Sequence, residues 1–141
     1  MAVEKRASAV WRGSLVDGGG SVTAASGAFT DLSVTWPKRS EQGQEATSPE
    51  ELIAAAHAAC FSMALSHGLA QGGTPPEELN VGVTVGFQAG EGITGIAIDV
   101  TGRVPGIDQA GFETGASTAA QNCPVSKALA GVEITHSARL A

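Results

Sequence analysis

This sequence is short of cysteine, of aromatic residues and of positive charge. Two cysteines cannot build a disulfide framework, and in a reducing compartment such a pair serves catalysis or metal binding, or is incidental. Aromatic residues make up 4% of the chain, so its core must lean on small and aliphatic side chains, and burying further surface between chains would offset that. Eight Lys and Arg stand scattered against 14 Asp and Glu, for a net charge of −6. That balance argues against nucleic acid or an anionic membrane as a partner. No basic stretch followed by an apolar one opens the chain, so no signal peptide is expected and a cytoplasmic location is the default. The longest apolar run, Leu52 to Leu65, is interrupted by His57 and falls short of the roughly 20 residues that cross a bilayer. It reads as a buried core helix.

What is present describes a globular chain. Its 141 residues are 43% apolar and 16% charged, which suits a single domain over residues 1–141. No repeat, low-complexity tract or long linker divides it. The β-rich N-terminal part, 1–46, has short β-prone runs at 7–11, 20–24 and 29–36, separated by "DGGG" and "SG" turns. A central helix over about 49–70 is signalled by Ser48 as N-cap, Pro49 at the first position and Glu51 completing a capping box. Its apolar residues lie on several faces, which predicts burial all round. "VGVTVGF" and "IAIDVTGRV" alternate around "AGEG", giving a β-hairpin within about 80–104. Helices at about 108–122, capped by Asp108, and 124–130 precede a final strand at about 132–140. Strands grouped before and after helices indicate an α+β fold with a mostly antiparallel β-sheet.

Cys60 sits in the apolar helix and, taken alone, reads as an inert core thiol. Cys123 changes that reading. It immediately precedes Pro124, at the N-cap of a helix, where the helix dipole and unpaired amides lower a thiol pKa. One shielded thiol and one at a helix junction suit a nucleophile and a resolving partner.

"SPEELIAAAHAACFSMALS" around Cys60, "VPGID" at 104–108 and "NCPVSKAL" around Cys123 closely resemble the OsmC/Ohr family of peroxide-reducing proteins, its OsmC branch most of all. The resemblance implies an intertwined homodimer, its sheet wrapped around buried central helices. It also implies thiol-dependent reduction of organic hydroperoxides without metal or organic cofactor. By that pattern Cys60 is the peroxidatic cysteine, Cys123 the resolving one and Glu50 the acid of the "PEE" motif. An arginine upstream completes the site. Arg39 is the candidate, one residue further from "PEE" than the branch places it, with Arg12 and Lys38 as alternatives. An external dithiol, such as a lipoylated protein, resets the thiols.

The chemistry accounts for these residue types. A cysteine in apolar surroundings needs a nearby fixed positive charge to ionise near neutral pH. Arginine supplies one, with a fork of donors that a carboxylate can hold bidentately. Thiolate attack on the peroxide O–O bond leaves a sulfenic acid that a second cysteine condenses into a disulfide, and thiol–disulfide exchange reopens it. The ten residues from Glu50 to Cys60 span about 15 Å along a helix. Glu50 of the same chain therefore cannot readily serve Cys60, which favours a two-fold homodimer in which a second copy brings the acid.

The remaining polar residues have plainer readings. His57 lies one turn before Cys60 and could form a Cys-His hydrolase pair or half a zinc site. Zinc would need two more ligands, and His67 lies about 10 Å further on, so a packing or hydrogen-bonding histidine is favoured. His136 reads as surface. The glycine clusters do not match a phosphate-binding loop. The competing reading is a non-enzymatic, stress-induced binding or redox-sensing protein on the same scaffold. The joint presence of Cys60, Cys123, Glu50 and a nearby arginine favours catalysis.

Overall fold

The computed structural model describes residues 1–40 and 46–141, apart from the side chains of Lys38 and Ser40. They form two compact units, Met1–Glu50 and Glu51–Ala141.

In the first unit, β1 (Ala7–Arg12), β2 (Gly19–Ala24) and β3 (Leu32–Val34) form an antiparallel meander in that order. The expected third strand over 29–36 is shortened at both ends. Asp31 adopts a left-handed φ of 53°, which breaks the extended run on one side. On the other, Trp36 and Pro37 open a short helix, α1 (Trp36–Ser40), because the fixed φ of proline suits a first helical turn. Val10 and Trp11 remain 48% and 42% exposed, so apolar surface on β1 is uncovered.

The second unit is built on α2 (Pro49–Gln71), which starts at the expected proline. His57, Phe61, Leu65 and Leu69 recur every four residues and form its buried stripe. They share a core with a sheet of order β4-β5-β6, in which β4 (Glu78–Gln88) and β5 (Gly92–Arg103) are the expected antiparallel hairpin. Ile96, Ile98 and Val100 alternate inward from β5. Full burial of each such side chain gains about 1.5–3 kcal/mol before entropy is counted. Gly102 continues that inward row because Phe112 leaves no room there: a Cβ would stand 2.5 Å from Phe112 Cζ.

Helices α3 (Gln109–Asn122) and α4 (Pro124–Ala128) follow, and β6 (Ile134–Leu140) then pairs with β5 in parallel, with Ile96 opposite Ile134. A parallel partner needs a long crossover, which the two helices provide. The fold is thus α+β with one antiparallel and one mixed sheet.

Within one chain α2 is buried along a stripe and not, as expected, all round, and Met63 stays 72% exposed. On the buried side Leu65 and Leu69 lie against Gly115 of α3, and His57 reaches Ser126 of α4. With 23 residues, α2 is also long and apolar enough to cross a membrane by length and composition, a test that core helices of soluble proteins pass as well.

Candidate active site

Two elements of the second unit bring the cysteines together. Cys60 follows His57 by three residues on α2 and is half-buried. Cys123 is held at the junction of two helices. Asp108 caps α3 by accepting the Gly111 amide at 2.7 Å, which fixes where that helix begins. The far end of α3 closes as the Cys123 amide donates to the Ala119 carbonyl at 2.9 Å, and Pro124 turns the chain into α4. Both thiols are free, and they are near enough for each to shift the other's titration.

Their exposure differs from expectation. Cys123 is fully buried among Phe61, Phe112, Ala116 and Ala119, whereas Cys60 is the more accessible of the two. The α3–α4 corner packs into the core, so its thiol is the shielded one.

The two thiols are pushed in opposite directions. Burial raises the Cys60 thiol and the Cys123 side chain raises it further, with only the Val125 amide opposing. Among the described residues no positive charge offsets the rise. Burial also acts against the Cys123 thiolate, but hydrogen-bonding groups outweigh it: the Cys60 thiol, the Ser126 amide and hydroxyl, and the Val125 amide. No capping bond from the α4 amides closes on Cys123 Sγ in the reduced state, so these amides act as neighbouring dipoles.

A buried polar pair adjoins the cysteines. His57 Nε2 lies 2.7 Å from Ser126 Oγ, and both residues are nearly inaccessible. His57 Nδ1 has no partner, and burial lowers the His57 pKa, so the imidazole is neutral near pH 7. His57 is therefore a hydrogen-bonding histidine. Ser126 was missed by sequence reasoning, although its position three residues after Cys123 places it in the first turn of α4, beneath that thiol.

In the first unit, Arg39 Nε donates to Glu50 Oε1 at 2.9 Å. Bidentate pairing would engage both carboxylate oxygens, whereas among the described residues the buried Glu50 Oε2 has no partner. Among the arginine alternatives, Arg12 lies exposed on β1, opposite Gly19, and the Lys38 side chain falls outside the described residues. His136 is exposed on β6 and His67 is exposed on α2. Among the described residues no group of three or more His, Cys, Asp or Glu side chains is placed to hold a metal.

Fold and thiols together define a class: a small α+β protein with two free cysteines side by side at the edge of a helix–sheet core. The chain belongs to the OsmC-like protein family, whose family model matches residues 41–137. It is 41% identical over 132 residues to the peroxiredoxin OsmC of Escherichia coli strain K12, covering 92% of each chain. Among solved structures, the OsmC-like protein of Mycoplasma pneumoniae shares the fold at a TM-score of 0.77 and 15% identity, with coverage of 100% and 99%. The organic hydroperoxide resistance protein OhrB of Bacillus subtilis superposes at a TM-score of 0.68 with 27% identity, covering 96% of this chain and 98% of its own.

Proposed function

We propose that the protein is a cysteine-based peroxidase that reduces organic hydroperoxides to alcohols. The observation that carries this reading is the pairing of Cys60 and Cys123, two free thiols from separate elements that pack at one core and shift each other's titration. Relatives named peroxiredoxin and organic hydroperoxide resistance protein support it. Cys60, the more accessible thiol, is the nucleophile. Its thiolate attacks the outer peroxide oxygen, the O–O bond breaks, and the OH group passes to sulfur with its proton, while the departing alkoxide takes up from solvent the proton that the Cys60 thiol lost on ionising and leaves as the alcohol. Cys60 is then a sulfenic acid. The Cys123 sulfur attacks that of Cys60, an S–S bond replaces the S–OH bond, and hydroxide leaves with the Cys123 proton as water. An external dithiol, of the kind a lipoylated protein carries, reduces the disulfide by exchange and is itself oxidised. The apolar surroundings of Cys60 favour alkyl hydroperoxides over hydrogen peroxide.

Ionising Cys60 calls for a positive charge, which the described residues of its own chain do not place beside it. We assign this charge to Arg39, held by Glu50 and contributed by a second copy of the chain in a homodimer. The uncovered apolar surface of Met63 on α2 and of Val10 and Trp11 on β1 supports such a dimer. So does the helical span from Glu50 to Cys60, about 15 Å.

The test is turnover of cumene hydroperoxide with an excess of dithiol. Cys60→Ser abolishes it. Cys123→Ser supports one reaction and accumulates a sulfenic acid that dimedone traps. Full turnover by the Cys60→Ser protein contradicts the assignment.

A further inference from the structure

The assigned chemistry leaves the most deeply buried polar pair among the described residues without a role. His57 is 0% exposed and Ser126 4%, and the 2.7 Å bond between them joins α2 to α4 across 69 residues. A neutral imidazole has one N–H. If it were on Nδ1, a buried donor would be stranded, because Nδ1 has no partner. A bare acceptor is tolerated more readily in a protein interior than an orphaned N–H. The proton therefore sits on Nε2, which donates to Ser126 Oγ. That leaves the serine hydroxyl proton free to point elsewhere, and Cys123 sits one turn before it on the same short helix.

We propose that His57 and Ser126 form a relay that positions and charges Cys123: His57 Nε2–H donates to Ser126 Oγ, and the Ser126 hydroxyl donates to the Cys123 sulfur. His57 and Ser126 are positioning residues, since neither meets the peroxide. Donors in a chain polarise one another, so the imidazole strengthens the hydroxyl as a donor to sulfur. The hydrogen bonds that favour the Cys123 thiolate against its burial agree with this. Of the titratable groups on α2, Cys60 acts on Cys123 directly and His57 reaches Ser126, while α3 and β5 contribute apolar side chains, Ala116, Ala119, Ile96 and Ile98, to the surrounding core.

The inference rests on the peroxidase reading for its use, though not for its existence. In that cycle a stabilised Cys123 thiolate serves twice. It closes the disulfide on the Cys60 sulfenic acid, and it is the better leaving group when a reductant attacks. Attack on the disulfide is thereby directed to the Cys60 sulfur, which is also the accessible one. The mixed disulfide with the reductant forms on Cys60.

Ultraviolet titration of the Cys123 thiolate in a Cys60→Ser background reads the relay without any peroxide. Adding Ser126→Ala raises the midpoint by about one unit, a roughly tenfold loss of thiolate at a given pH below it. His57→Leu does the same, and His57→Gln, whose amide nitrogen reaches the place of Nε2, restores the original midpoint. The double change His57→Leu with Ser126→Ala does no more than either alone. In the two-cysteine protein, disulfide closure after a peroxide pulse slows only about threefold in Ser126→Ala, because the roughly tenfold loss of thiolate is partly offset by the greater nucleophilicity of the less acidic thiol once ionised. If His57→Leu does not fold, Ser126→Ala and His57→Gln decide the matter. An unchanged midpoint in folded Ser126→Ala, or a His57→Gln midpoint raised as far as that of Ser126→Ala, overturns the relay. Loss of peroxide turnover with the midpoint shift intact overturns the peroxidase reading instead.

Discussion

Glu50 is the buried member of its ion pair with Arg39: their side chains are 7% and 39% exposed, and a 2.9 Å bond joins Arg39 Nε to Glu50 Oε1. Removing the arginine strands a carboxylate that is almost out of water, whereas removing the acid leaves a guanidinium that solvent can still reach. Arg39→Ala is therefore expected to destabilise the fold more than Glu50→Ala, by about 1–3 kcal/mol once partial exposure is discounted. Combining the two changes should recover part of the loss. Urea denaturation midpoints across the double-mutant cycle check this. On the proposed reading, Arg39→Ala also raises the Cys60 titration and slows its alkylation near neutral pH.

The buried His57 sets a pH dependence. Its folded pKa lies below the ordinary 6.5 because burial disfavours the charged ring. The unfolded chain then binds more protons below that pH, so this contribution to stability is complete above pH 6.5 and falls as the pH drops towards the folded pKa. Denaturation midpoints should be flat from pH 7.5 to 7 and decline below 6.5. His57→Gln, which cannot titrate, should lose that component of the decline.

Gly102 tests the packing of the core. A methyl group there would meet Phe112 Cζ at 2.5 Å and Cε1 at 2.8 Å, and Phe112 is wholly buried. Gly102→Ala is expected to cost about 1–3 kcal/mol through overpacking. Adding Phe112→Leu, which vacates the ring edge, should make the alanine less costly than it is alone.

A fourth prediction concerns the dimer. Glu50→Ala chains and Cys60→Ser chains, each inactive alone, are partially unfolded and refolded together. If the acid acts across the interface, each mixed dimer has one intact site and one doubly defective site. Random pairing makes half the dimers mixed, so activity should return to roughly a quarter of wild type. If Glu50 acts within its own chain, every site in every dimer stays broken and no activity returns. An active monomer in sedimentation would contradict the arrangement outright.

Much of this architecture is legible locally. Pro49 marks the start of α2, Asp108 caps α3, and the alternation around "AGEG" makes the β4–β5 hairpin, because each signal lies within a few residues of the structure it produces. Long-range relationships are not legible in that way. The parallel pairing of β6 depends on where the α3–α4 crossover returns the chain. The full burial of Cys123 depends on the packing of Phe61 and Phe112 around the helix corner. The contact between Ser126 and His57 joins residues that no periodicity connects. Motifs around Cys60 and Cys123 singled out the thiols, but which of them is shielded is a tertiary fact.

The central claim is that two thiols of one chain consume one organic hydroperoxide. Fully reduced protein mixed anaerobically with one equivalent of cumene hydroperoxide per chain should lose two thiols per chain and yield one equivalent of the alcohol. Mass spectrometry should then find Cys60 joined to Cys123. Recovery of the hydroperoxide unchanged, with both thiols still titratable, would contradict the account.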